Sequence, residues 1–468
     1  MTMQQPASAL AIAQAVRSGH VDASDVVAAA LARIAIDNPA LNAIVTVDPD
    51  RSLAEAAALT RRLKAGERPA LAGVPIVIKD AIWAEGWRAT QGSRLYADFV
   101  APASSLSIDR LRRAGAIVVG VANMSEFGCK GVTSNPLYGV TRHPIDLRLT
   151  PGGSSGGCAS ALAAGLVPLA LGTDGGGSAR RPAAHTGVVG FKPSGGVVAH
   201  GPGFPGSASL TSVIAPMGRC VADVAAMFEA ILGPDPSEAL TCALPAPILK
   251  PSEQLTIAYA RTFGLGGPVD PDVAEAIEAA VTRLRAAGLQ IVEVDPLWPA
   301  GACEAALMPM QWAGLAQRHG AAWRTDPDRF DPDIGAQIER GLGLTARDVL
   351  AAQGMASDIM QSAARFFHSG IDMVIGPTSP CLAWPHRQLG PDTIAGVAVD
   401  DRAHAAFTPF FNHGLCAAIS MPVPSERSRL PIGLQIAGPR FSDRQILALA
   451  HVAEAVLATP TAHRRSAS

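Results

Sequence analysis

Metal and redox signatures are missing from this chain of 468 residues. Its seven cysteines (Cys129, Cys158, Cys220, Cys242, Cys303, Cys381 and Cys416) are odd in number, scattered, and nowhere spaced C-x-x-C. That argues against zinc and against a disulfide framework, and points to a reducing compartment. No H-E-x-x-H motif and no G-x-x-x-x-G-K-[ST] phosphate loop occurs. An excess of one charge is lacking too: the formal net charge is −2, which offers no basic surface to a polyanion. The longest stretch of small apolar residues, Ala159 to Gly172, is too short to cross a bilayer and contains Pro168. Met1 to Pro6 carry no basic leader region. The expectation is a cytoplasmic protein without metal or cofactor that binds neither nucleic acid nor membrane.

Lysine is also scarce. Only Lys64, Lys79, Lys130, Lys192 and Lys250 occur, and arginine carries most of the positive charge. Lys79 closes Gly73-Val74-Pro75-Ile76-Val77-Ile78-Lys79-Asp80, a β-branched run bounded by Gly and Pro that reads as a buried strand. A lysine at the mouth of such a strand loses hydration, which favours its neutral form and suits it to act as a base. Arginine cannot take that part, because it does not deprotonate in proteins. The competing reading is a lysine snorkelling into water.

What the chain has in abundance is glycine at two places. Thr150-Pro151-Gly152-Gly153-Ser154-Ser155-Gly156-Gly157 is followed by Gly172-Thr173-Asp174-Gly175-Gly176-Gly177-Ser178, with Ser154 and Ser178 24 residues apart. Glycine lets several N–H groups converge on one point. Beside a hydroxyl, such a nest supplies a nucleophile and an oxyanion cradle. A phosphate nest or a pair of flexible turns is the alternative for either loop taken alone. Gly152 to Gly156 fits G-x-S-x-G, but that elbow needs a strand running straight into the serine. Here His143-Pro144-Ile145-Asp146-Leu147-Arg148-Leu149-Thr150-Pro151 precedes it, with two prolines and mixed charge. No lysine lies three residues after a serine, so the S-x-x-K layout is absent. His185 and His200 fall near the loops and read as interior or rim residues.

Together these motifs resemble the amidase signature family of serine hydrolases, over nearly the whole chain. Further landmarks are Asn123-Met124-Ser125-Glu126-Phe127, Gly187 to Pro193, Ala215-Pro216-Met217-Gly218-Arg219, Gly376-Pro377-Thr378-Ser379-Pro380 and Leu430 to Gln435. The resemblance implies a Ser–cis-Ser–Lys triad: Lys79 as base, Ser154 as bridging cis-serine, Ser178 as nucleophile. It implies oxyanion donors at Gly175, Gly176, Gly177 and Ser178, with Ser155, Asp174 and Arg180 bracing the loops. Gly128, Cys129, Ala179 and Phe204 are candidate substrate contacts. The implied reaction is hydrolysis of a small-molecule amide, with esters and carbamates open and a homodimer as one possible assembly. The alternative is the catalytic component of a glutamine-dependent tRNA amidotransferase, its A subunit. The family's amidotransferases commonly have Thr at the place of Gly175. Four departures from the family pattern, at His143, Ser194, Cys416 and Ala179, leave the triad intact. Ala179, where Ile or Val is usual, implies extra room beside Ser178.

Short apolar strands alternating with helices argue for an α/β sandwich on a parallel or mixed sheet. The resemblance implies one large domain: a helical layer over about 1–66, a catalytic core over about 67–235, a variable substrate-facing region over about 236–395 and a closing segment over about 396–460. Helices are expected over Asp25 to Ile36 (capped by Ser24), Arg51 to Lys64, Ser107 to Ala114, Gly156 to Ala164 and Asp272 to Ala286. Strands are expected at Val74 to Lys79, Ala116 to Val121, Val167 to Gly172, Leu289 to Val294 and Ile371 to Ile375. Aromatics are sparse, at 5%, so Met308, Met310, Trp312 and Trp323 stand out. They read either as helix packing or as a substrate-facing lid. The Gly201 to Gly206 loop reads as a pocket rim or a rigid connector.

Overall fold

Alternation of buried strands and helices builds a single domain around one mixed sheet. The computed structural model describes residues 7–204, 211–246 and 249–458. Eleven strands run in the order Ile44–Thr46, Ile117–Ala122, Pro75–Lys79, Leu169–Asp174, Val213–Gly218, Val189–Lys192, Ala417–Val423, Ile432–Gly438, Met373–Pro377, Thr256–Tyr259 and Gln290–Glu293. Pro75–Lys79 lies parallel to both neighbours, Ile117–Ala122 and Leu169–Asp174. The Leu169–Asp174 strand then pairs antiparallel with Val213–Gly218. The central strands are buried along their whole length, which is why they read as continuous apolar runs rather than alternating ones.

Helices cover both faces. Ile76, Ile78, Leu169 and Leu171 join one core with Phe191, Phe228 and Ile436, while Val77 and Ala170 join Val27, Ala56 and Leu162 in another. Alternate residues of one strand thus serve opposite faces. The first long helix spans Ala23–Leu41 and is capped by the Asp22 carboxylate on Ser24 N, so Asp22 and not Ser24 is the cap. The next, Pro49–Lys64, is capped by Asp48. The strand after the first serine loop reaches Asp174 rather than ending at Gly172. That extension carries Thr173 and Asp174 to the same sheet edge as Lys79. Ligand sites of parallel α/β sheets form at the carboxyl ends of the strands.

Among the described residues no helix is long and apolar enough to cross a membrane.

Candidate active site

Lys79 ends its strand completely buried. Its Nζ lies 2.7 Å from Ser154 Oγ and 2.7 Å from Thr173 Oγ1. Burial pushes the ammonium down to about 8, against weaker opposing pulls from Cys158 and Asp174. Lys192 is equally buried and also pushed down to about 8 by burial, yet among the described residues its Nζ bonds only Pro193 O, at 2.9 Å. Depression of the ammonium is therefore common to both lysines; contact with a serine hydroxyl distinguishes Lys79. Thr173 was not foreseen. It lies one residue beyond the expected end of its strand, and only the ladder pairing Ile78 with Leu171 brings it beside Lys79.

Ser154 follows a cis peptide, Gly153–Ser154. Its loop is crowded on every side. A Cβ on Gly153 would lie 2.8 Å from Lys130 O, and one on Gly157 2.4 Å from Asn123 O. Thr133 ties the turn together, donating to Gly152 O at 2.8 Å and accepting from Gly156 N at 3.0 Å. The two serine loops are joined by Ser155 N donating to Ser178 O at 3.0 Å, and by Ser155 Oγ donating to Thr173 O at 3.1 Å. Among the described residues the Ser154 and Ser178 hydroxyls share no hydrogen bond; Ser154 Oγ is engaged by Lys79.

Asp174 organises the second loop. Its carboxylate accepts from Gly177 N at 2.8 Å, from Ala179 N and Arg180 N at 3.2 Å, and from both Nε and NH2 of Arg180 at 3.0 and 2.9 Å. Asn412 Nδ2 adds a bond at 2.9 Å. Burial alone would raise this carboxyl, but the Arg180 guanidinium and these donors outweigh it and hold it far below the usual carboxylate range. Arg180 is itself fully buried and reaches Gln435 at 2.7 Å and Thr408 O at 3.1 Å. Ser155, Asp174 and Arg180 thus make direct hydrogen bonds within and between the two serine loops.

One expected oxyanion donor is corrected. The Gly177 N–H is committed to Asp174, and Gly177 does not line the cavity. Gly175, Gly176 and Ser178 do line it. Gly176 O is held by Thr408 Oγ1 at 2.7 Å, which turns that peptide's N–H the other way.

The cavity over Ser178 encloses about 1270 Å³. Gly128, Cys129 and Phe204 border it. Gly128 (φ +74°) passes so close to Ser154 that a Cβ there would lie 3.3 Å from its Oγ. Burial pushes the Cys129 thiol up to about 11, so it stays protonated. Phe204 packs with Trp83, Tyr96 and Phe99 at ring separations of 5.0 to 5.4 Å, an aromatic rim in a chain with few aromatics. The remainder of its loop, Pro205 and Gly206, lies outside the described residues.

Ala179 is a second correction. It is fully buried, packs with Ala183 and Val188, and does not face the cavity. A Cβ on Gly190 would lie 2.8 Å from Ala179 O, so this backbone is pressed against the neighbouring strand. Its small size serves helix-to-sheet packing rather than a wider pocket. The other departures are structural as well. His143 Nε2 meets His185 O at 2.7 Å, Ser194 Oγ donates to Asp443 at 2.6 Å, and Cys416 is buried. His185 lies in the interior, and His200 at the rim with Nε2 2.8 Å from Ser212 O.

The Met/Trp segment divides. Met308 and Met310, on helix Glu304–Thr325, line the cavity. Trp323 packs on Phe330, and Trp312 lies under Arg340.

The sequence matches the Amidase family over residues 25–447. It is 34% identical over 461 residues to the A subunit of glutamyl-tRNA(Gln) amidotransferase from Symbiobacterium thermophilum, covering 92% of this chain and 93% of the relative. Among solved structures it is similar to a bacterial aryl acylamidase of the amidase signature enzymes, with TM-score 0.88, 26% identity and 96% of each chain covered. It is similar also to an amidase structure, with TM-score 0.86 and 28% identity over 96% of this chain and 100% of that one.

Proposed function

This chain belongs to the amidase family, and from that premise we propose that it hydrolyses the C–N bond of amides through an acyl-enzyme on Ser178. The observation that carries the reading is the buried Lys79 held 2.7 Å from the hydroxyl of Ser154 at the floor of a cavity that Ser178 also lines. In its neutral form Lys79 donates one N–H to Thr173 Oγ1 and turns its lone pair to Ser154. Ser154 gives its proton to Lys79 and takes the proton of Ser178 as that oxygen attacks the carbonyl carbon. The N–H groups of Gly175, Gly176 and Ser178 receive the oxyanion; loss of one such donor costs about 2.7–4 kcal/mol in a well-studied protease. Ser154 then passes its proton to the leaving nitrogen and takes one back from the Lys79 ammonium, the C–N bond breaks, and water, deprotonated through the restored relay, attacks the acyl carbon and returns the Ser178 hydroxyl. Esters and carbamates present the same carbonyl and fall within this chemistry. Seven free cysteines support a reducing, cytoplasmic setting.

A second reading has its own support: the relative above is the A subunit of an amidotransferase, at higher identity than the solved hydrolases. In it the same site releases ammonia from glutamine for a partner chain. One feature favours the free-standing hydrolase: Gly175 stands where such subunits commonly carry Thr. The purified chain is tested alone against p-nitroanilides, simple amides, esters, carbamates and glutamine, with fluorophosphonate labelling of wild type and Ser178→Ala. Turnover without a partner, and labelling lost only in Ser178→Ala, is the expected result. Activity confined to glutamine, and only with companion proteins supplied, refutes the hydrolase reading. Labelling that persists in Ser178→Ala refutes the nucleophile.

A further inference from the structure

Three buried rings, His185, Trp384 and His404, stand against the Ser154 loop; they do not line the cavity and take no part in the relay. Trp384 touches both imidazoles: it stacks on His404 with centroids 4.7 Å apart and meets His185 edge-on at 5.3 Å. A Cβ on Gly152 would lie 3.1 Å from His185 Cδ2, and one on Gly131 would collide with the His404 ring. Gly131 in turn lies against the loop, for a Cβ on Gly153 would lie 2.8 Å from Gly131 C. The Trp384 backbone is tied to the start of the same loop, its O accepting from Thr150 N at 2.8 Å. The two residues before Ser154 are therefore backed by one imidazole directly and by the other through Gly131.

Hydrogen bonds do little to fix these imidazoles. Among the described residues Nε2 of neither has a partner. His404 Nδ1 lies 3.3 Å from Arg181 NH1, and because a guanidinium only donates, Nδ1 accepts and the ring proton sits on Nε2. Burial, then His143 and Arg181, push His185 down to about 3. Burial, then the Arg181 and Arg402 charges, hold His404 well below its ordinary value. Both rings are neutral at neutral pH and stay where packing on the indole puts them. A close-packed interior passes a displaced ring on to its neighbours rather than absorbing it.

We propose that His185, Trp384 and His404 are positioning residues that act through Gly131, Gly152 and Gly153 to hold Ser154 Oγ on Lys79 Nζ. The inference rests on the relay from Lys79 through Ser154. A loop released on this side would loosen the 2.7 Å contact and let water reach the lysine. Proton transfer would slow, and the ammonium, depressed by burial, would rise toward its ordinary 10.5.

The test measures kcat, KM and the pH midpoint of kcat/KM for wild type, W384A, W384F and H404A on one p-nitroanilide. In W384A and H404A kcat is expected to fall by about tenfold to a hundredfold, the scale of a small misplacement, with KM changed by less than about threefold. Their midpoint should move above pH 8, and W384F, which keeps a ring against the imidazoles, should restore both quantities. The groups facing Lys79 (Ser154, Thr173, Cys129, Cys158 and Asp174) are untouched by these changes, so a moved midpoint reports the loop. A kcat within about threefold of wild type in both alanine variants, an unmoved midpoint, or a W384F no better than W384A overturns the proposal. G131A, whose methyl drives into the His404 ring, gives a separate reading should those variants not fold. It should lower kcat and raise the midpoint in the same way, and wild-type values overturn the proposal. If no amide is turned over, urea unfolding between pH 8 and 10.5 reads the lysine without catalysis. Wild-type stability rises across that window, because the folded chain has lost a proton that the unfolded chain keeps. A smaller rise in H404A keeps the positioning role while the hydrolase reading falls; an equal rise refutes the role.

Discussion

Replacing Lys79 by Met removes the proposed base and also an unfavourable burial, and the two effects have opposite signs. In the unfolded chain this lysine holds its proton up to about 10.5, whereas burial brings the folded value to about 8. Below pH 8 the group is protonated in both states, and the full penalty weighs on the fold. Between pH 8 and 10.5 the folded protein has lost the proton and the unfolded chain keeps it, so wild-type stability rises with pH. The gap of 2.5 units corresponds to about 3 kcal/mol. Against this, Lys79→Met loses the bonds to Ser154 and Thr173, worth roughly 1 kcal/mol each. The variant is therefore expected to equal or slightly exceed wild type at pH 7. It should fall behind as pH rises, the difference changing by about 3 kcal/mol across the window. Urea unfolding midpoints at steps between pH 7 and 10.5 measure this. The companion measurement is kcat/KM of wild type, which should rise with a midpoint near pH 8 as Lys79 becomes neutral. A stability difference that does not move with pH refutes the burial argument. Substantial activity in Lys79→Met removes the residue from the mechanism.

Asp174→Asn leaves the Arg180 guanidinium buried without its counter-charge, and unfolding measurements should show a loss of about 3–5 kcal/mol; a loss under 1 kcal/mol would mean that Asn412 and Gln435 suffice. Gly128→Ala places a methyl at φ +74° and 3.3 Å from Ser154 Oγ, so kcat should fall more than KM changes; unchanged kcat would show that the bridging serine tolerates the shift. Ala179→Ile overpacks the helix-to-sheet contact and should cost about 1–3 kcal/mol in stability, with turnover of large and small amides falling alike. Selective loss on large amides would return this position to the pocket.

Motif residues carried the broad identity of the site because their chemistry is local. A glycine-rich turn before a serine and a lone lysine closing a β-branched run are legible without any partner in view. The strands and helices expected from the sequence are present for the same reason, with most ends displaced by a residue or two; the helix expected to stop at Ile36 runs on to Leu41 and is capped by Asp22 instead of Ser24, and elements such as the helix Ala346–His368 and the strand Val213–Gly218 were not expected. Thr173 escaped because its role depends on strand pairing, which brings together residues 94 apart in sequence.

Ala179 and Gly177 mark the boundary between what a chain states and what folding decides. The sequence by itself determined which groups can ionise, which turns only glycine can make, and that serines and a lysine able to serve the proposed acyl transfer are both present. Direction was not written there. Ala179 turns into the core and Arg181, two residues on, opens onto the cavity, because the helix from Arg180 packs one side against the strands Val189–Lys192, Ala417–Val423 and Ile432–Gly438. The Gly177 N–H is turned to Asp174, because Arg180 at the other end of the same loop and Asn412 from a distant part of the chain together fix that carboxylate. Burial, and with it the depressed ammonium of Lys79, arises only when the strands and helices close around it, since loss of hydration belongs to the packed chain and not to any residue alone.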